Sequence, residues 1–212
     1  MLEQVRDAGG KFLPGQQYSD DVRQHLRRPI GRFDKLERLQ HFREPGFPSW
    51  EAFTAGRWEE SQLLWERLRP EAAAEFAEDA RTGLVSYRVR VVEFPLAPYL
   101  HWELYGLKIR AEYGEHIRVV GSEAVARYET GGVVVPELIF MGDQVMYEIC
   151  YDETGTRYGG RKFTDPELIK GCLADVHALY AEGEDFLPFF ARAVAPLPPP
   201  VVEPEVTSSA GS

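Results

Sequence analysis

The chain has 212 residues, with 34 acidic and 24 basic side chains and a formal net charge of -10. Because 44% of the residues are hydrophobic and 12% are aromatic, the chain can bury a core, which excludes wholesale disorder. No run of about 18 apolar residues is present, so the sequence predicts no membrane-spanning helix and no membrane partner. Two cysteines, Cys150 and Cys172, make no disulfide framework and favour a cytoplasmic location. The acidic balance argues against nucleic-acid binding over the whole surface.

Both ends of the chain differ in composition from the middle. Residues 1–19 contain Gly9-Gly10 and Pro14-Gly15, which break regular structure and predict a flexible N-terminal arm. Residues 195–212 contain five prolines followed by small polar residues, which predicts a disordered, proline-rich tail. A single α+β domain is expected between them, over residues 20–194.

The first part of that domain, residues 20–48, is predicted to be a basic helical arm. Asp20 and Asp21 can cap a short helix that ends before Pro29, and a second helix is predicted over residues 34–41. The segment between residues 22 and 43 carries these basic side chains: Arg23, Arg27, Arg28, Arg32, Lys35, Arg38 and Arg43. They either contact nucleic acid or an acidic partner, or they pair with the acidic surface of the same chain. The acidic composition of the remaining chain favours the second interpretation.

The middle of the chain changes from helical to extended periodicity. Apolar residues recur at helical spacing over residues 49–81, and Pro70 is suited to open a second helix there. Residues 84–94 alternate between apolar and polar side chains, which predicts a strand. Residues 99–107 favour a helix, although their aromatic side chains also permit a strand.

Further short strands are predicted over residues 115–120, 138–141, 144–151 and 156–163. The last three are separated by turn residues at hairpin spacing, which indicates an antiparallel meander. Asp165 and Pro166 then predict the start of a C-terminal helix. The predicted fold class is α+β, with N-terminal helices, an antiparallel sheet meander of about four to five strands, and C-terminal helices.

Known catalytic signatures are absent from the sequence. It has no phosphate-binding Gly-Lys-Ser/Thr loop, no dinucleotide glycine motif after a strand and no G-x-S-x-G elbow. The five histidines form no pair at i,i+4 spacing, and both cysteines lie in apolar surroundings. The sequence therefore predicts no cofactor and no metal site, and catalytic residues stay unknown.

The most suggestive polar residues surround the strand predicted over residues 84–94. Arg88 and Arg90 project from one face of that strand, opposite the valines. Together with residues of the following segments they define the candidate contact set: Arg88, Arg90, Tyr99, His101, Glu103, Glu115 and Arg118. If the segment 99–107 covers this face, Glu103 or Glu115 can pair with the arginines. Such a cluster either binds an anionic ligand or forms an ion-pair network at an exposed sheet face.

At these residues the sequence resembles the central motif of an actinobacterial family classed as a domain of unknown function. The run RVRVVEFPLAPYLHWEL over residues 88–104 carries the resemblance, and GEHIR at residues 114–118 is similar to the next motif of that family. The resemblance covers residues 33–190. His101, His116 and Pro98 depart from the family pattern. Because the family is often encoded near helix-turn-helix regulators, the resemblance implies a role in regulation and a regulator of that type as protein partner.

The function expected from the sequence is a non-enzymatic regulatory or protein-interaction module of a bacterial cytoplasmic system. One alternative is an enzyme or binder that acts on an anionic ligand, a nucleotide or a phosphodiester, through the Arg/Glu/Tyr cluster. The other is nucleic-acid binding by the basic segment 22–43.

Overall fold

A computed structural model describes residues 1–202 of the chain. Its strands are β1 (Lys11–Pro14), β2 (Arg32–Glu37), β3 (Val85–Val92), β4 (His116–Gly121), β5 (Leu138–Met141), β6 (Val145–Tyr151), β7 (Arg157–Phe163) and β8 (Glu184–Asp185). Its α-helices are α1 (Gly15–Leu26), α2 (Pro48–Thr54), α3 (Trp58–Glu66), α4 (Arg69–Thr82), α5 (Pro98–Tyr113), α6 (Ser122–Val125), α7 (Pro166–Glu182) and α8 (Phe186–Ala193). Within residues 1–202 every helix is too short or too polar to cross a membrane.

All eight strands belong to one mixed sheet, in the order β1-β7-β6-β5-β2-β3-β4-β8. The strands β2, β3 and β4 run parallel, while the remaining neighbours are antiparallel. The predicted antiparallel meander of four to five strands is therefore wrong as a description of the fold. Helices α2 to α4 connect β2 to β3, and α5 connects β3 to β4, because parallel neighbours need a long crossover. Within residues 1–202, only β5, β6 and β7 follow one another as an antiparallel meander.

Strand β2 replaces the helix predicted over residues 34–41. Lys35 lies opposite Arg88 and Glu37 lies opposite Arg90 in the parallel register with β3. The sequence RFDKLE hides this strand because charged side chains project from both of its faces. Strand patterns are recognised by apolar side chains on the buried face, and here that face carries a lysine and a glutamate.

The first 19 residues, expected as a flexible arm, contain a 3-10 turn (Leu2–Gln4), β1 and the start of α1. Leu2 and Val5 are fully buried in the core next to α7, and the ammonium of Met1 lies 2.8 Å from a carboxylate oxygen of Asp175. Apolar burial thus orders this part of the chain despite its glycines. Of the predicted proline-rich tail, residues 198–202 have no helix or strand, and residues 203–212 lie outside the described residues.

The sheet separates two layers of helices. Val89 and Val91 of β3 pack in the same core cluster as Ile169 and Val176 of α7. On the opposite face, Val92 packs with residues of α5 and α8. Because side chains alternate along a strand, Arg88 and Arg90 share the α5 face with Val92.

Helix α5 lies between this sheet face and the outer helices, so it is buried on most sides. Its buried residues include Tyr99, Leu100, Trp102, Glu103 and Leu107. Aromatic side chains of α2 and the segment 38–47 cover its outer surface in one cluster with Trp102. A helix surrounded in this way shows no polar face, which explains why residues 99–107 also resemble a strand. Helix α5 thereby brings charged residues onto the arginines of β3.

Candidate functional site

Arg90 is fully buried and pairs with a glutamate of α5. Its Nε donates to Oε2 of Glu103 at 3.0 Å, and its Nη2 lies 2.8 Å from the same oxygen. Its Nη1 donates to the backbone carbonyls of Glu37 and Val91. Burial raises the pKa of Glu103, the charge of Arg90 opposes this effect, and the charge of Glu37 adds to it.

Arg88 joins two further buried carboxylates on the same sheet face. Its Nε donates to Oε1 of Glu115 at 2.6 Å, and its Nη1 donates to Glu37. Glu115 also accepts a hydrogen bond from Arg110 of α5. Burial acts to raise the pKa of Glu115, but the guanidinium groups of Arg88 and Arg110 outweigh it and lower that pKa. These charges are buried and paired, as low-dielectric surroundings require.

Glu37 receives more positive charge than any other carboxylate of the cluster. Besides Arg88, the ammonium of Lys35 pairs with it. Burial acts to raise the pKa of Glu37, but Arg88, Lys35 and Arg90 together hold it well below its usual range. Glu37 is therefore a permanent anion at the centre of the ion network.

A tyrosine hydroxyl lies between two other carboxylates. The Oη of Tyr99 is 3.3 Å from Oε1 of Glu44 and 3.3 Å from Oε1 of Glu103. Glu44 is exposed as a residue, but burial of its carboxyl group raises its pKa, and the charge of Glu103 raises it further. The pKa of Tyr99 is raised well above its ordinary value by burial and by both carboxylates. The hydroxyl is therefore protonated, and its single proton can serve only one of the two oxygens.

Most of these groups, but not Arg90 and Glu115, line a cavity of about 230 Å³, which we call the α5 cavity. Its lining residues come from β2, β3, the segment 38–47, α3, α5 and the end of β6: Lys35, Glu37, Phe42, Glu44, Phe47, Trp65, Arg88, Tyr99, Trp102, Glu103, Gly106, Leu107, Arg110 and Tyr151. Charged groups occupy its sheet side, whereas aromatic rings of the segment 38–47, α3 and α5 form the remaining walls. A concave site with a few convergent polar groups among apolar walls is typical of small-molecule binding.

Another buried carboxylate, Glu137, lies near this network. Its Oε1 accepts hydrogen bonds from the backbone amides of Arg38 and Leu39, each at 2.6 Å, while its Oε2 has no partner among residues 1–202. Burial and the charge of Glu37 raise the pKa of Glu137 to about 7, although Arg90 and the two amides act in the opposite direction. Glu137 thus changes its charge near neutral pH.

The structure brings five of the seven predicted contact residues into one buried network: Arg88, Arg90, Tyr99, Glu103 and Glu115. His101 lies elsewhere, since its ring packs 5.4 Å from that of Trp58 and its Nε2 has no partner among the described residues. Arg118 projects from the opposite sheet face, where it bonds the carbonyl of Gly183 at 3.1 Å. It is opposite Val89 in the parallel register, so it shares the α7 face.

The basic segment 22–43 is divided between surface and interior. Arg32 donates to both oxygens of Asp34 at 2.7 and 2.6 Å, and Arg38 pairs with Glu129 at 2.6 Å. Arg23, Arg27 and Arg28 lie exposed on and after α1. Part of the basic charge is therefore bound to acidic side chains of the same chain.

Three members of the site, Lys35, Glu37 and Glu44, were not predicted from the sequence. The available signal for the first two was their i,i+2 spacing with opposite charge, which places both on one face of a strand. Glu44 lies in a segment without helix or strand, and no periodic pattern marks it. Within residues 1–202 no group of three or more histidine, cysteine, aspartate or glutamate side chains is arranged to hold a metal ion.

The fold and the site define one mixed sheet with helices on both faces and a charged, aromatic-walled cavity on one of those faces. The family model of a domain of unknown function, DUF6879, matches residues 20–191, and the chain belongs to that family. No curated protein matches the chain.

Among solved structures, the chain is similar to TrmBL2, an archaeal chromatin protein whose structure is described as showing a novel mode of DNA binding. The identity is 9% and the TM-score 0.40, with 85% of this chain and 55% of that chain covered. The chain thus spans about half the length of that protein, and a likeness at this level carries no argument about function.

Proposed function

We propose that the chain is a non-enzymatic regulatory module that binds a small molecule in the α5 cavity. The observation that carries this proposal is the convergence of Lys35, Glu37, Glu44, Arg88 and Glu103 from separate segments onto one cavity. A stable fold does not need a buried ion network, since apolar residues of similar volume in the same place often stabilise the folded state at least as much as buried ion pairs do. Charged groups retained around a cavity are therefore best explained by ligand recognition.

The state of the charged groups favours binding over catalysis. The arginine and lysine side chains at the cavity are bound to carboxylates of the same chain, so they are held as structural cations. A clamp for a phosphodiester or nucleotide needs guanidinium donors directed at the ligand. Arg88 and Arg90 direct their Nε atoms at Glu115 and Glu103 instead. This arrangement argues against the alternative of an enzyme or binder acting on an anionic ligand.

The regulatory part of the proposal comes from the resemblance given above. It implies an actinobacterial, cytoplasmic setting and a protein partner, a helix-turn-helix regulator. Ligand binding in the α5 cavity can reach such a partner through the segment 38–47, because Phe42 and Glu44 line the cavity and Glu44 is exposed. A ligand that binds one conformation of this segment better than another shifts the equilibrium between the two conformations towards the first.

The proposal is tested by nuclear magnetic resonance on the full chain with ¹⁵N-labelled tryptophan. The panel consists of three phenyl compounds of similar size: 2-phenylethanol, phenylacetate and 2-phenylethylamine. Trp65 lines the α5 cavity, whereas Trp58 packs outside it against His101. We expect at least one compound to shift the indole signal of Trp65 and to leave that of Trp58 in place. A panel that shifts neither signal, or only that of Trp58, contradicts ligand binding in the cavity.

A further inference from the structure

The positive charges at the α5 cavity are already neutralised. Arg88 is bound by Glu37 and Glu115, Arg90 is bound by Glu103, and Lys35 is bound by Glu37. An anionic ligand would have to compete with these buried carboxylates for each cation. Breaking a buried pair is strongly unfavourable because it leaves an uncompensated charge behind.

The carboxylates, in contrast, exceed the cations. The four cations Lys35, Arg88, Arg90 and Arg110 are opposed by four carboxylates, Glu37, Glu115, Glu103 and Glu75. The carboxylate of Glu44 is additional to these.

The hydroxyl of Tyr99 cannot donate a hydrogen bond to each of the carboxylate oxygens near it. It lies 3.3 Å from Oε1 of Glu44 and 3.3 Å from Oε1 of Glu103, but it has a single proton. One of the two oxygens therefore lacks a donor from this hydroxyl. A ligand with N–H donors and a positive charge between these oxygens would give both carboxylates a hydrogen-bond donor and a compensating charge.

The remaining walls fit the apolar part of such a ligand. Phe42, Phe47, Trp65 and Trp102 line the cavity, and the ring of Trp65 lies 4.9 Å from that of Phe47 and 5.0 Å from that of Trp102. Faces of aromatic rings, those of tryptophan most strongly, attract organic cations. The volume of about 230 Å³ equals roughly eight water molecules. It lies below the usual ~300–1,000 Å³ of drug-sized pockets, so the ligand is small.

We infer that the α5 cavity binds a small organic cation, an amine on an aromatic or apolar group, with its ammonium between Glu44 and Glu103. The apolar group of the ligand packs against Phe42 and Trp65. This inference rests on the proposed function, because it names the class of ligand that the same cavity takes.

The test is calorimetric titration of the full chain near neutral pH with 2-phenylethylamine, phenylacetate and 2-phenylethanol. These probes share the phenyl ring and differ in charge. We expect the amine to bind at least about tenfold more tightly than the anion and the alcohol. The variant Glu44→Gln removes the charge and keeps the shape of the side chain. Its affinity for the amine should therefore fall about tenfold, while its affinity for the alcohol should stay that of the wild type. Glu59→Gln, an exposed substitution on α3, is the matched control and should bind as the wild type does.

Glu44 is chosen because it is exposed and because, among residues 1–202, its carboxylate accepts a hydrogen bond only from Tyr99. The variant therefore keeps the buried Arg90–Glu103 pair. Phenylacetate or 2-phenylethanol binding as tightly as the amine overturns the inference and leaves the proposed function standing. Amine binding that Glu44→Gln does not weaken also overturns the inference. If none of the three probes binds, the inference and the proposed function both fail.

Discussion

Nε of Arg88 on strand β3 lies 2.6 Å from Oε1 of Glu115, which immediately precedes β4, and both side chains are almost completely buried. The pair joins neighbouring parallel strands beneath α5, and Arg110 of α5 bonds the same carboxylate. Glu115 thus pairs with two guanidinium groups, of which that of Arg110 is partly exposed and also pairs with Glu75. The ion network is consequently a continuous structure that connects the sheet to α5.

The first prediction concerns the stability that this carboxylate provides. Glu115→Gln leaves Arg88 and Arg110 without a negative partner at that position, so we expect a loss of about 3 kcal/mol in the free energy of unfolding. Urea denaturation at neutral pH measures it. Glu78→Gln, which removes an exposed partner of Arg81, is the control and should leave the unfolding midpoint unchanged. A loss of only about 0.5 kcal/mol for Glu115→Gln, typical of an exposed ion pair, would contradict the buried network.

The second prediction concerns Glu137, whose pKa is raised to about 7 by burial and by the charge of Glu37. A carboxyl group with a raised pKa in the folded state contributes stability below its unfolded pKa of about 4.3 and loses that contribution as the pH rises. Glu137→Gln resembles the protonated form at every pH. The variant should therefore match the wild type near about pH 4.3 and exceed it by about 3–4 kcal/mol near pH 8.

Urea denaturation of both proteins across that pH range measures the difference in unfolding free energy. We expect the advantage of Glu137→Gln to grow from about pH 4.3 to about pH 7 and to stay constant above. An advantage that stays constant throughout, or that grows towards acid pH, would contradict the burial of an ionisable Glu137.

The third prediction tests how α5 shapes the cavity wall. A methyl group added to Gly106 would lie 2.5 Å from Cη2 of Trp65, a distance at which the ring must move. Gly106→Ala should therefore displace Trp65, alter tryptophan fluorescence and cost about 1–3 kcal/mol of stability through overpacking. Gly9→Ala is the matched control, because nothing lies within 4 Å of the added methyl group there. Unchanged fluorescence and stability in Gly106→Ala would show that Trp65 does not pack on α5 as described.

The fourth prediction concerns the hydroxyl shared by Glu44 and Glu103. Tyr99→Phe removes the hydrogen bond that lowers the pKa of Glu44, while burial and the charge of Glu103 continue to raise it. We therefore expect the pKa of Glu44 to rise in this variant, as measured by ¹³C resonance of the glutamate carboxyl groups during pH titration. Tyr105→Phe on the same helix is the control, since Tyr105 does not line the cavity. If the pKa of Glu44 falls or stays constant in Tyr99→Phe, the hydroxyl of Tyr99 does not donate a hydrogen bond to Glu44, and the prediction is wrong.

The sequence predicted those parts of the fold in which apolar periodicity matches burial. Alternation in residues 84–94 indicated β3 and placed Arg88 and Arg90 on one face. Asp165 and Pro166 marked the start of α7, where the carboxylate of Asp165 accepts from the amide of Glu167 at 3.0 Å. The turns between β5, β6 and β7 were likewise visible as local chemistry. In each of these cases neighbouring residues alone determine the structure.

The parallel part of the sheet was not predictable in the same way. Strand β2 carries Lys35 and Glu37 on a buried face, and the charges of Arg88 and Arg90 on β3 make the burial of Glu37 favourable. These partners are distant in the sequence, so a local pattern cannot reveal them. The same reason hides Glu44, whose role depends on Tyr99, 55 residues further along the chain.

The most direct measurement of the central claim is a crystal structure of the full chain with 2-phenylethylamine. We predict that the amine occupies the α5 cavity, with its nitrogen about 3 Å from carboxylate oxygens of Glu44 and Glu103 and its ring against Trp65. The ion pairs of Arg88 and Arg90 should remain intact in that complex. An empty cavity with the amine bound elsewhere, or an amine nitrogen directed away from both carboxylates, would contradict the claim.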